Sequence, residues 1–458
     1  MENVGFGSWL QHRRPRYGNT TAINQGIREL GYEEFADPLV DRTPISNDPV
    51  LRSSMTNAHT PELTNSPASG VSPRRQARGI HGYLLIVGSC MPALGAVLIA
   101  PVLPAMAAAF PDTPGVGILV PLILTMPALI IAFFAPFAGL LLDRFGRKRI
   151  LLIAMVAYAG FGTAPLWLDT LPAILASRAG LGLCEALILT GCLAMTTEYF
   201  EGRAREKYLG YQAAISTLAA TLFLMVGGIL GQSGWRTPFW LYGMSLIIAL
   251  AMYFLLWEPE ARTSDRVRVK VPWKAILMPC LVTLFGGLVF FSVVAHMPFV
   301  LAGLGLHDPG AIGIASAITA LAGAVASYSF RWLARWGTHR LLTLAFTVAA
   351  AGFVIVSFAA NPMTATAGAV VANLGAGLML PTLVTWTVSR LSHENLGAGS
   401  GIWQSSLWIG QFSTSIIIGA IAASLGGQLG TALGILGIAS LVMAILVGTL
   451  WRRIPKLS

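Results

Sequence analysis

Arg178 and Glu185 are the two charged side chains of one long apolar run, Ser177-Arg178-Ala179-Gly180-Leu181-Gly182-Leu183-Cys184-Glu185-Ala186. Seven residues of helix turn about 700° and rise roughly 10 Å, so the two share a face but stand too far apart for a direct ion pair. Charge inside a bilayer is costly and is kept where it faces a cavity or a partner. A carboxyl there can bind and release a proton, and a guanidinium on the same face can tune that acid or hold an anionic ligand. The competing reading is a structural charge pair or a buried neutral acid. His296, in a second apolar run with Phe290, Phe291 and Pro298, is a third candidate. An imidazole ordinarily titrates near neutral pH, although a lone histidine also serves as hydrogen-bonded packing.

Other polar side chains could contact an organic ligand. Gln404, Trp408 and Gln411 follow i, i+4, i+7, one helical face, with Trp403 beside them. Asn373 and Gln212 are weaker candidates of the same kind, and helix packing is the alternative use of all six. The chain also holds Gly139-Leu-Leu-Leu-Asp143-Arg144-Phe-Gly146-Arg147-Lys148-Arg149. Gly139 would let another helix approach closely, Gly146 permits a tight turn, and the basic run pins the loop to one side. Glu198, just before a second basic loop, could pair with Arg144 or Arg147, or end its helix in water.

These residues need elements to hold them, and composition says which. Only 11% of the 458 residues are charged, 55% are hydrophobic and the mean hydropathy is +0.69. A soluble chain carries about 25% charged residues. Crossing the hydrocarbon core takes about 20 apolar residues. The pattern predicts helices over 83–109, 116–142, 149–168, 171–198, 208–232 and 238–257. After a linker over 258–273 it predicts 274–301, 310–334, 340–360, 364–389, 397–424 and 429–451. Residues 1–80 read as a disordered cytoplasmic tail, with a true start near Met55 as the alternative, and 453–458 as a second cytoplasmic tail.

The net charge of +10 follows the membrane rule rather than nucleic acid. With the N-terminus inside, 19 Lys and Arg after residue 80 fall in inner segments, against Arg236 alone outside. Both termini are therefore expected in the cytoplasm. Gly146 and Gly337, Gly210 and Gly401, and the helix starts at 83 and 274 each lie 191 apart. Two parallel six-helix halves, 81–257 and 274–452, account for that offset and leave a cavity between them.

The loop from Gly139 to Arg149 resembles the signature loop of the major facilitator superfamily. Arg178 and Gly182 resemble its helix-4 motif, and Gly227-Gly228 with Gly234-Trp235-Arg236 resemble its helix-5 segment. The resemblance, over about residues 82–452, is strongest to the twelve-helix drug and small-molecule efflux groups. One departure is that Phe223-Leu224 stands where drug–proton antiporters carry Gly-Pro. In the second half, Arg335 and Gly337 repeat the loop, with Ala334 in place of its Asp. The resemblance implies an all-α membrane protein of twelve transmembrane helices in two pseudo-symmetric bundles, working by alternating access. It also implies a gating role for Gly139, Asp143, Arg144, Gly146, Arg147 and Glu198.

The expected function is secondary active transport of a small organic molecule, proton-coupled efflux first. Proton-coupled uptake of an organic anion and a non-transporting membrane sensor are the alternatives. Glu185, Arg178 and His296 are the coupling candidates. No phosphate-binding loop, protease motif or metal-ligand spacing occurs, so neither an enzyme, a cofactor nor a metal is expected. Cys90, Cys184, Cys192 and Cys280 read as free packing thiols. The expected partners are a small substrate, protons and membrane lipid, without nucleic acid, for a functional monomer in the plasma or inner membrane.

Overall fold

The computed structural model describes residues 77–259, 273–392 and 395–450. The expected tail over 1–80 lies outside these up to residue 76, as do most of the linker and the C-terminal tail. Among the described residues, twelve helices are long and apolar enough to cross a membrane. In chain order they are α1 Gly79–Ala108, α2 Val116–Phe145, α3 Arg147–Leu166, α4 Leu171–Tyr199, α5 Gly202–Gly231 and α6 Thr237–Leu255. The second set is α7 Trp273–Gly303, α8 Pro309–Trp336, α9 Thr338–Ser357, α10 Pro362–Val388, α11 Leu396–Ser424 and α12 Leu429–Thr449. No strand occurs among the described residues.

Each element follows from local chemistry. The run from Leu140 to Phe145 continues α2 until Gly146, whose φ of 93° and ψ of 133° end the helix in a conformation open to glycine. Gly337 does the same after α8 with φ 83° and ψ 151°. The same backbone state thus recurs at the 191-residue offset. α1 is broken into Gly79–Ser89, Met91–Val97, a 3₁₀ turn at Ala100–Val102 and Leu103–Ala108. Pro92, Pro101 and Pro104 each enter a new segment near its first turn, where a missing N–H costs least.

Two apolar cores form. One joins side chains of α1–α6, and the other joins those of α7–α12. Phe291 and Ala295 of α7 belong to the first core although their neighbours Val293 and Met297 belong to the second. α7 therefore runs along the seam between the bundles.

The bundles meet through α2 with α11 and α5 with α8. Thr125 and Ser415 hydroxyls lie 2.9 Å apart, and Ser405 donates to the Ala132 carbonyl at 2.9 Å. A methyl group on Gly228 would stand 2.8 Å from Gly313 Cα. Beyond it, Gln232 Nε2 donates to Asp308 Oδ1 at 3.0 Å. These contacts run from mid-membrane to the end where α5 stops and α8 starts. At the opposite end, a methyl on Gly139, Gly210, Gly397 or Gly401 would meet only open space. The passage between the bundles is closed at one end and open at the end of the Asp143 loop. In this structure no neighbouring helix lies within reach of a methyl on Gly139.

Candidate functional site

Arg178 and Glu185 are each 1% exposed, in the middle of the first bundle. The Arg178 side chain crosses to α3, where one guanidinium nitrogen donates to the carbonyls of Phe161 and Gly162 at 2.8 and 2.9 Å. Those carbonyls end the helical ladder of α3, where partial negative charge collects. Its guanidinium also lies 5.3 Å from the Phe239 ring centre and 5.1 Å from that of Tyr242. Arg178 is thus covered by two carbonyls and two aromatic faces.

Glu185 points instead at the broken helix α1. Its Oε1 is buried and makes no hydrogen bond, and a methyl on Gly95 would fall on that oxygen. Tyr158 donates from α3 to the Met91 carbonyl at 2.5 Å, one turn before Gly95. Arg178 is the cation that acts on this carboxyl, without touching it. Gly182 lets α4 approach α2, since a methyl there would stand 2.7 Å from Pro127 Cα. Gly95, Met91, Tyr158 and Tyr242 were not among the sequence candidates. The one available signal was tyrosine in apolar runs, which needs a partner for its hydroxyl.

The loop after α2 forms a second cluster. Arg147 reaches Asp143 Oδ1 at 2.9 Å and also pairs with Glu198 of α4. Glu258, after α6, accepts from the backbone N–H of Arg147 and from that of Lys148 at 3.0 Å. It caps the start of α3, where unpaired N–H groups favour an anion. Lys148 Nζ returns the favour, donating to the carbonyls of Tyr253 and Leu256 at 2.8 and 2.6 Å near the end of α6. Glu258 was missed because its partner is 110 residues away in the chain. Arg144 is not in these pairs; its guanidinium lies over Phe145.

The remaining candidates divide. Trp408 packs against the first core while Gln404 on the same face is half-buried, so this stripe of α11 faces the other bundle. Trp403 and Gln411 are buried, and Trp403 belongs to the core of the second bundle. Asn373 donates to the Thr319 carbonyl at 3.0 Å and clamps α10 to α8. In this state Asn373 is bonded to a neighbouring helix of its own bundle and Trp403 packs within that bundle's core. Gln212 is half-buried on α5. His296 is 1% exposed, in the half of α7 toward the closed end, far along the chain from the Glu185 cluster.

The family model described as Major Facilitator Superfamily matches residues 85–364 and, overlapping them, 306–458. The chain belongs to the major facilitator superfamily. Among this transporter's relatives, the multidrug efflux protein YfmO of Bacillus subtilis (strain 168) is 28% identical over 351 residues, 73% of this chain and 83% of that protein. The quinolone resistance protein NorA of Staphylococcus aureus (strain MSSA476) is 21% identical over 338 residues, covering 72% and 86%. Solved structures agree on the fold. A D-xylose–proton symporter superposes with a TM-score of 0.69 at 14% identity, over 82% of this chain and 97% of that one. A bacterial homologue of the lysosomal transporter Spinster, inward-facing and occupied, gives 0.68 at 16%, over 81% and 96%. This superfamily member is a multi-pass membrane transporter and not an enzyme.

Proposed function

We propose that the transporter exports a small organic molecule in exchange for protons, with both termini in the cytoplasm. The observation that carries this reading is Glu185: the sole acid within the described membrane spans away from their ends, buried, with Oε1 unbonded against the broken helix α1. A carboxyl that lacks a fixed partner can change its protonation when the passage opens to one side and then the other. The 28% identical relative is named a multidrug efflux protein, which favours export.

In this reading Arg178 sets the field around Glu185 while staying anchored on α3. Asp143, Arg147 and Glu198, with Glu258 behind them, hold the inner gate residues in register, and Arg144 and Gly146 shape the turn. Substrate lies between the bundles, against Gln404 and Trp408 on one side and Gln212 on the other. Uptake of an organic anion is the less supported reading, since the cation it needed is buried and bonded through one nitrogen to two carbonyls of α3. With this orientation the open end faces the cytoplasm.

Reconstituted vesicles test the coupling. A pH gradient imposed across them should drive transport of a substrate found by thermal stabilisation. Glu185→Gln should abolish the gradient-driven component while leaving ligand stabilisation in place. Gradient-driven transport surviving in that variant would remove Glu185 from the mechanism.

A further inference from the structure

The spans of the second bundle carry no Asp, Glu, Lys or Arg between Ala275 and Gly303, between Pro309 and Phe330, between Leu341 and Val388, or between Leu396 and Thr449. Among its described imidazoles His296 alone lies deep inside a span, His339 being only the second residue of α9, and the His296 ring is in an unusual place. It is 1% exposed, and neither ring nitrogen makes a hydrogen bond of ordinary geometry. The polar group facing it is the Ser292 carbonyl one turn back. Below it, Ser292 Oγ and Thr414 Oγ1 lie 2.6 Å apart, joining α7 to α11. On either side stand Ala295, in the core of the first bundle, and Met297, in the core of the second.

His296 therefore sits on the seam, roughly 10 Å short of the closed end of α7 by helical rise. Opening that end must pull Phe291 and Ala295 out of the first core, and water then reaches the strip beside them. Burying two unsatisfied ring nitrogens opposes closure, and burying a charged ring opposes it more. No charged side chain faces the ring from the helices packed on α7, namely α1, α2, α8, α10, α11 and α12. The charged and titratable groups of those helices are His81, Tyr83 and Cys90 in the opening half of α1, Asp143 and Arg144 at the end of α2, and Tyr328, Arg331 and Arg335 late in α8, all away from the closed end. At the mouth itself Asp112, His307 and Asp308 are exposed.

We propose that His296 is a second proton-binding site, which takes its proton from the water at the closed mouth only when the bundles part there and, once protonated, holds that mouth open. This rests on the alternating-access reading above but assigns a separate group on the other bundle. It makes opening of the outer mouth respond to acid without any substrate bound.

The test uses the full chain in lipid nanodiscs, with the four buried native cysteines replaced by alanine. Spin labels on exposed Asp112→Cys and Gln428→Cys report the distance across the mouth. Between about pH 8 and about pH 5, the range over which an imidazole changes charge, the open population should rise, by at most about tenfold per pH unit for one proton. His296→Gln should remove the rise, while His307→Gln, at the exposed mouth, keeps it. An unchanged rise in His296→Gln, or no rise in the parent, overturns the proposal. A rise lost only in Glu185→Gln also overturns it, and leaves the Glu185 assignment intact. Should His296→Gln not fold, diethylpyrocarbonate decides on the native histidines. His296 should be spared in the parent and modified in Gly228→Val, whose mouth cannot close; equal modification in both overturns the proposal.

Discussion

At the scale of single residues, the structure separates two charges that the sequence places on one helical face. Arg178 is committed to α3 through Phe161 and Gly162, and Glu185 to the backbone of α1 at Gly95. The contact at Gly95 is the sharper of the two. Gly95→Ala should destabilise the protein by about 1–3 kcal/mol, the usual range for overpacking a filled core, read as a lower thermal midpoint. Adding Glu185→Ala should recover most of that loss, because it removes the oxygen the methyl meets. A double variant no more stable than Gly95→Ala alone would place the strain elsewhere. The residues Arg178 and Glu185 were legible in the sequence because a charge in an apolar run has few uses. Their partners were not, since Gly95 and Gly162 carry no side chain to signal a contact.

Between elements, closure depends on how near α5 comes to α8. Gly228 and Gly313 leave no room for a methyl between them, and Gln232 bonds to Asp308 just beyond. Gly228→Val should shift the protein away from the closed-mouth state, seen as a longer distance across the mouth and as faster labelling of cysteines placed there. Asp308 adds a sign that can be checked. The Gln232 amide, with the N–H groups of Ala311 and Gly310, holds its carboxyl below the usual range. The carboxylate therefore supports the closed mouth above the ordinary value of about 3.9, and that support is lost as pH falls through the lower folded value. Asp308→Asn should leave the acid response between about pH 5 and about pH 8 in place, since the carboxylate is already ionised there.

For the molecule as a whole, the open end carries the Asp143 loop and the closed end carries Asp308. The proposed orientation puts the first in the cytoplasm. Membrane-impermeant thiol labelling in whole cells checks it: cysteines at 149 and 262 should be protected and one at 236 labelled. Labelling of 149 and 262 on opposite sides would break the twelve-helix arrangement itself.

Apolar run lengths alone set the twelve helices to within a few residues, because crossing the bilayer fixes a minimum length and turns punctuate it. α5 is the exception: it begins at Gly202 rather than 208, its first turns being basic and so hidden from a hydropathy reading. The loop turn, the repeat of its backbone state at Gly146 and Gly337, and the identity of the buried charges were also written in the sequence. What only the tertiary structure decided was partnership: Glu185 against α1, Glu258 capping α3, Asn373 bonded to α8, Trp403 in the core of its own bundle, His296 on the seam. In a membrane, lipid tails are as apolar as a helix neighbour. An apolar face therefore does not say whether it meets lipid or protein, and helix rotation and depth are fixed by the packing of small residues whose partners lie far away in the chain.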